Sequence, residues 1–309
     1  MLYYCKFIKE FGFSLFYKKF IRPRMKRMDA GQRDIEQSSV VANWIWKNYQ
    51  KIFKENLDKG TGSPSFGSKT PIWVFWWQGI EGMLPIVKVC YNSICKNASS
   101  NHDVILLTKD NYQDYTDIPD LILEKVGSGE ITLTHFSDII RTNLLYPHGG
   151  LWLDATMYIS RSIPDAFFEK PFFSPIPYFR DRLFHEDRWS VFAMGGKPGC
   201  PLYGYLYRYF ISYWKEHRML VNYIMIDDAI RMMYYNMKEV KALIDDGGIV
   251  TDSIFEMQQL LGKPFDKDVF MRMCKDETFH KLTYKRGNVN GNGYMTLYEY
   301  LTKDVSKQL

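Results

Sequence analysis

Along residues 3–20, Tyr4, Phe7, Ile8, Phe11 and Leu15 recur at three- and four-residue steps, while Lys6, Lys9, Lys18 and Lys19 fall mostly elsewhere on the helical wheel. This pattern predicts a short basic amphipathic helix. A second helical stripe, over residues 31–57, carries Val41, Trp44, Ile45, Tyr49, Ile52 and Phe53. The segment KGTGSPSFGSKT (59–70) has no periodicity and the composition of a flexible linker. Beyond it the period changes. IWVFWW (72–77) and VILLT (104–108) read as buried strands with a helix at 84–97 between them, and ITLTH (131–135) reads as a third strand. Strands alternating with helices predict a parallel sheet in an α/β domain. From about residue 200 the pattern is helical, in LYGYLYRYFISYWKEH and YIMIDDAIRMMYYNM, before a closing strand at KLTYK (281–285) and a last helix in YMTLYEYL. The expected organisation is a helical extension with linker over 1–69 and an α/β domain with a helical C-terminal part over 70–309.

Charge changes the picture at one end of the chain. The net charge of +5 is not spread evenly: residues 1–28 hold eight Lys and Arg against Glu10 alone, so this arm carries +7 and the remainder −2. A nearly neutral body argues against a nucleic-acid-binding protein, which needs a basic surface to meet the phosphate backbone. The arm has two readings. It lies in the plane of an anionic cytoplasmic membrane face, or it docks its aromatic side on the domain. No apolar run approaches the roughly 20 residues of a spanning helix, and no signal-peptide pattern is present. The five cysteines (Cys5, Cys90, Cys95, Cys200 and Cys274) are scattered and odd in number, as expected of free thiols in a reducing cytosol.

Candidate chemistry concentrates in THFSDIIRTNLLYPHGGLWLDATMYIS (134–160). Ser137 reads as the N-cap of a helix starting at Asp138, and the turn Pro147-His148-Gly149-Gly150 ends that helix before the strand LWLD. Asp138 and Arg141, three residues apart, share one face near the helix start. Asp154 follows the next strand, at the edge where open α/β sheets bind ligands. Taken singly, Asp138 and Arg141 read as a salt bridge and Asp154 as a strand cap. Two carboxylates and a guanidinium meeting around a Gly-Gly turn instead suit a sugar diphosphate: carboxylates accept from hydroxyls, Arg grips an anionic oxygen, and Asp154 holds a divalent ion against the diphosphate.

The run SDIIRTNLLYPHGGLWLDAT resembles the S-D-x-x-R…G-G-x-x-x-D-x-(D/T) signature of glycosyltransferases that include yeast-type mannosyltransferases, the sugar-transferring domains of large glucosylating toxins and, closest of all, bacterial capsular polysaccharide synthesis proteins. PIWVFWWQG (71–79), PIVKVCYNSI and KLTYK extend the resemblance over about residues 70–285. It implies a GT-A-type (Rossmann-like) fold that binds a nucleotide sugar, usually a UDP-sugar, and transfers the sugar with retention to a saccharide acceptor. In that light Trp76, with Trp77 as its alternative, stacks on the base. Asp138 hydrogen-bonds the ribose and donor sugar, and Arg141 contacts the donor sugar near its phosphate. Asp154 is the first carboxylate of a D-x-D metal motif for manganese or magnesium. Thr156 departs from the pattern, standing where many relatives have the second Asp, and a hydroxyl is a weaker ligand for a hard cation. The alternatives are that Asp154 binds the ion through water, or that Lys281, Lys285 and Arg286 neutralise the leaving diphosphate. The expected setting is the inner face of the plasma membrane, with a lipid-linked acceptor in capsule or surface-polysaccharide synthesis. The competing expectation is a sugar-nucleotide-binding protein on the same scaffold without catalysis.

Other signals are weaker. Asp227 and Asp228 read as exposed helix-face carboxylates, with orientation of an acceptor hydroxyl as the functional alternative. Asp181, Glu186 and Asp187 belong to a polar loop, FAMGGKPGCP reads as a turn, and NGNG (290–293) as a loop. The six histidines show no HExxH spacing, and no GxSxG or paired Cys/His arrangement appears, which argues against zinc, Ser and Cys hydrolases.

Overall fold

The computed structural model describes residues 2–55, 57, 69–177, 188–285 and 293–303. Asp181, Glu186, Asp187, Arg286 and most of the 59–70 and NGNG segments lie outside the described residues.

The chain begins with α1 (Leu2–Phe16), a π-helical turn (Tyr17–Ile21), α2 (Arg22–Met25) and α3 (Ala30–Lys54). Next come β1 (Thr70–Phe75), α4 (Pro85–Asn97), β2 (His102–Leu107), α5 (Asp120–Gly127), α6 (Leu133–His148), β3 (Gly150–Leu153) and β4 (Met157–Ile159). After these lie β5 (Ser174–Pro177), β6 (Ala193–Gly196), α7 (Pro201–Glu216), α8 (Met225–Asn236), α9 (Lys238–Gly247) and β7 (Gly248–Thr251). The last elements are α10 (Glu256–Leu260), α11 (Lys267–Asp276), β8 (Phe279–Lys281) and α12 (Leu297–Thr302).

The central sheet runs β2-β1-β3-β6, with β1 parallel to both β2 and β3 and β6 antiparallel to β3. Apart from Thr70, His102 and Asp103 at the strand starts, its strands carry apolar residues or glycine, because both faces are covered. Ile72, Val74, Leu151 and Leu153 point into one core with Ile86, Val87 and Cys90 of α4. Trp73, Phe75 and Trp152 point into the other, with Phe136, Ile139 and Leu144 of α6 and the aromatic stripe of α7. Successive strand residues alternate between faces, so a slip of one residue would exchange the two cores. Two short pairs complete the sheets, β4 antiparallel to β8 and β5 parallel to β7.

The Gly149-Gly150 turn is needed for the strand to follow α6 this closely. Both glycines have positive φ (63° and 89°), and a Cβ on Gly150 would stand 2.3 Å from the Pro71 carbonyl oxygen. That proximity brings β3 alongside β1, and the Trp73 indole donates to Gly149 O at 2.9 Å.

Two expectations from periodicity are corrected. ITLTH is not a strand: Thr132 accepts from His135 N and starts α6 at Leu133, so a cap outweighs the β-branched composition of the segment. Ser137 accordingly lies within the helix, its hydroxyl donating to Thr134 O. In FAMGGKPGCP, Ala193–Gly196 forms β6, because β3 approaches so closely that only glycine fits at 195, where a Cβ would meet Gly150 O at 2.2 Å.

The N-terminal helices share the larger core. Phe7 and Leu15 are buried with Val41, Ile45, Tyr49 and Phe53 of α3. Phe11 packs edge-on to Trp44, and Glu10 accepts from Arg218 N at 2.9 Å and pairs with His217. The stripe containing Phe7 and Phe11 is thus turned toward the body. Lys19, expected among the outward basic residues, is buried instead; its ammonium donates to Val221 O and to Asn222 Oδ1. Left exposed are Leu2, Tyr3, Phe13, Tyr17 and Met25.

Candidate active site

Because β1 and β3 run parallel, their carboxyl ends emerge together, and the residues that follow them face one cleft. Trp76 and Trp77 leave β1, Asp154 leaves β3, and Asp138 and Arg141 project from α6. All five line a cavity of about 320 Å³ together with Trp152, Thr156, Tyr223, Asp227 and Tyr284, a volume within the range of small-molecule sites.

Arg141 is the hub. Its buried guanidinium lies between the two carboxylates, with Nη2 3.2 Å from Asp138 Oδ1 and 3.4 Å from Asp154 Oδ1. Nη1 donates to Val191 O, and the group sits 4.9 Å from the Trp152 ring centre. Asp138 has a second support. The Trp214 indole, which is only a donor, donates a hydrogen bond to His135 Nε2 at 2.9 Å. The neutral imidazole therefore carries its own proton on Nδ1, 3.3 Å from Asp138 Oδ2. A chain of Trp214, His135, Asp138 and Arg141 fixes the rotamers facing the cavity.

Asp154 is engaged at both oxygens. Oδ1 accepts from the Trp152 indole at 3.1 Å besides facing Arg141, and Oδ2 accepts from Lys281 Nζ at 2.7 Å. Burial alone would push its carboxyl up, but the charges of Lys281 and Arg141 and the donors from Lys281 and Trp152 outweigh this and hold it below the usual carboxylate range. Thr156 Oγ1 accepts from the same ammonium at 2.8 Å.

Trp76 and Trp77 both reach the cavity by different anchors. The Trp76 indole donates to Gly82 O at 3.1 Å and the ring meets Tyr284 edge-on at 5.6 Å, whereas Trp77 packs edge-on to Phe136 at 6.0 Å. Lys285 is exposed, and neither Lys285 nor Lys281 is among the residues lining the cavity; Lys281 meets the site through Asp154 and Thr156. Of the α8 pair, Asp227 lines the cavity and accepts from the Trp189 indole at 3.1 Å. Asp228 corrects the expectation of a water-facing or acceptor-orienting carboxylate. It is fully buried, bonded by Ser38 and by Asn222 at 2.7 Å, because α8 turns that side onto α3. Burial raises its carboxyl to about 6 despite those donors and the nearby charges of Arg231 and Lys19.

His135, Trp152, Tyr284 and the role of Trp214 were not legible in the sequence. Only Trp152 carried a local signal, lying between the Gly-Gly turn and Asp154. His135 and Trp214 are 79 positions apart, and their pairing exists only once α6 packs on α7.

A model of the capsular polysaccharide synthesis protein family matches residues 24–301. The chain belongs to that family. The match takes in α3 as well as the α/β part, and leaves residues before 24 outside it. Two curated relatives are similar over shorter stretches. "O-glycosyltransferase braB" of Annulohypoxylon truncatum is 25% identical over 158 residues, covering 48% of this chain and 34% of that protein. "O-glycosyltransferase PaGT" of Phomopsis amygdali is 28% identical over 107 residues, covering 32% of this chain and 26% of that protein. The alignments thus span about a third or less of those relatives.

Proposed function

We propose that this member of the capsular polysaccharide synthesis family is a retaining glycosyltransferase of the GT-A type that transfers a sugar from a UDP-sugar to a hydroxyl of a saccharide acceptor. The observation that carries the reading is the convergence of Asp138, Arg141 and Asp154 beside two tryptophans, at the carboxyl edge of parallel strands. The names of the two distant relatives support the same chemistry.

In this reading the base stacks on Trp76 or Trp77, Asp138 accepts from ribose and sugar hydroxyls, and Arg141 faces the sugar near its phosphate. Asp227, steadied by Trp189, lines the same cavity, where it orients the acceptor hydroxyl. The hydroxyl attacks the anomeric carbon on the face the diphosphate leaves. Its proton passes to the departing phosphate oxygen as the carbon–oxygen bond to the diphosphate breaks, so no separate nucleophile is required.

The test is a panel of UDP-sugars followed by thermal shift and by release of UDP. One or a few donors should raise the unfolding temperature, as ligands of the folded state do, and lose their sugar slowly to water. Stabilisation without sugar loss across donors and saccharide acceptors would instead favour a binding protein, and no stabilisation by any of them would sink both readings.

The N-terminal surface bears on the acceptor. Leu2, Tyr3, Phe13, Tyr17 and Met25 are exposed among the outward-facing Lys6, Lys9, Lys18, Arg24, Lys26 and Arg27. Apolar side chains ringed by cations suit an anionic lipid surface, which would present a lipid-linked saccharide. Among the described residues no helix is long and apolar enough to cross a membrane. Flotation with anionic vesicles should carry the protein, and Phe13→Ser with Leu2→Ser should release it. Equal flotation of the double variant, or of the wild type with neutral vesicles, would refute this surface.

A further inference from the structure

We infer that Lys281 is the resident cation of this site, standing where a D-x-D motif would hold a divalent ion, so that the departing diphosphate is met by Lys281 and Arg141 without a bound metal. The inference deepens the donor-site reading and rests on it.

The motif Asp154-Ala155-Thr156 offers a carboxylate oxygen and a hydroxyl from positions two apart, and the Lys281 ammonium already bridges them, at 2.7 Å from Asp154 Oδ2 and 2.8 Å from Thr156 Oγ1. This is not a loose surface lysine. The pairing of β4 with β8 sets Lys281 opposite Met157, the residue directly after the motif. Its own N–H donates to Ile254 O at 2.8 Å, and Nζ lies 5.1 Å from the Phe192 ring centre. The remaining carboxylate oxygen, Asp154 Oδ1, faces the Trp152 indole and Arg141.

A hard divalent ion needs about six oxygen ligands, normally including a carboxylate free to bind it. Here one carboxylate has both oxygens turned to donors, and its partner is a hydroxyl already accepting from an ammonium. Among the described residues no group of three or more His, Cys, Asp or Glu side chains could hold a metal ion. Entry of an ion at the motif would require Lys281 to abandon both oxygens while a second cation, Arg141, stays within contact of the same carboxylate. The residues present therefore do not fit a resident divalent ion. They fit a fixed ammonium with two of its three N–H donors used on the protein, leaving one for an anionic oxygen beside Asp154 and Thr156. During transfer Lys281 acts as a fixed charge. It balances the charge that develops on the phosphate as the anomeric carbon–oxygen bond breaks, while the acceptor's proton ends on that phosphate oxygen.

The experiment uses the full chain and manganese itself. Titrated into the wild type and followed by electron paramagnetic resonance, manganese should remain as the free hydrated ion, whereas Lys281→Met should capture it. Release of UDP from the donor should be unchanged by a chelator in the wild type. It should fall roughly 100-fold in Lys281→Met, be largely kept in Lys281→Arg, and be partly restored to Lys281→Met by manganese. Manganese bound by the wild type, or wild-type turnover abolished by chelation and restored by the ion, overturns the inference; these two wild-type measurements decide even if Lys281→Met does not fold. UDP that binds calorimetrically only with manganese overturns this inference alone, whereas UDP that binds under neither condition removes the donor-site reading and the inference with it.

Discussion

Replacing Arg141 with alanine strips the guanidinium from between two carboxylates, and the structure sets the size of the effect. The side chain is 4% exposed and lies 3.2 Å from Asp138 and 3.4 Å from Asp154. At an effective dielectric near 20, each such pair carries about 5 kcal/mol of gross attraction. Desolvation of all three charges offsets most of it, so the pair's net contribution is small, but removing one partner leaves the other buried and uncompensated. That loss costs about 3–5 kcal/mol. It is larger for Asp138, whose other charged or polar support is the neutral His135, than for Asp154, which keeps Lys281. At about 2–4 °C per kcal/mol for a chain of this size class, Arg141→Ala should melt on the order of 10 °C below the wild type. Adding Asp138→Asn should recover part of the loss, giving a coupling energy of about 1–3 kcal/mol in a double-mutant cycle. Thermal and urea denaturation followed by circular dichroism measure both quantities, with UDP release read in parallel and expected to fall at least 100-fold. A wild-type melting temperature for Arg141→Ala, or strictly additive effects in the cycle, would show that Arg141 does not hold the two carboxylates together.

Further outcomes follow from other parts of the site and fold. Trp76→Ala should weaken UDP binding by the roughly 1–3 kcal/mol of a base stacked on an aromatic ring, measured by calorimetry; an unchanged constant would transfer the role to Trp77. His280 is fully buried, and burial pushes its imidazole down to about 4. Between pH 6.5 and about 4 the unfolded chain takes up a proton that the folded one refuses. His280 should therefore leave stability flat above pH 6.5 and remove about 3 kcal/mol as pH falls through that window. Urea midpoints for His280→Gln should fall less steeply there, and identical acid slopes would contradict the assignment. Gly150→Ala forces a Cβ to within 2.3 Å of Pro71 O at a φ of 89°. It should cost on the order of 3 kcal/mol, and near-wild-type stability would mean that β1 and β3 are less closely joined than described.

The parts of this molecule that follow local rules were readable in the chain. The apolar runs at Ile72 and Val104 carry strands because helices cover both faces, and the three-residue spacing of Asp138 and Arg141 puts them on one side of α6 wherever that helix begins. Its beginning was not readable: Ile131 and Thr134 suggest a strand, and the Thr132 cap decides otherwise. Long-range partners were hidden for a different reason. Asp228 could not be told from Asp227 by periodicity, because its burial depends on Ser38, 190 positions away. Lys281 was visible as a cation opening an expected strand over 281–285, but it instead ends β8 (Phe279–Lys281), and its place across the motif is set by the register of β8 on β4. The capping of α3, by contrast, was written locally, with Asp29 and Gln32 exchanging bonds at 2.8 and 3.2 Å to start the helix.

In the proposed function, the cavity between Trp76 and Asp154 receives a nucleotide sugar. A crystal structure of the protein with UDP bound tests it most directly. Uracil should lie against Trp76 or Trp77, the ribose hydroxyls toward Asp138, and the diphosphate within hydrogen-bond distance of Lys281 or Arg141. Nucleotide bound on another face, or a cavity that stays without UDP when the nucleotide saturates the protein in solution, would contradict it.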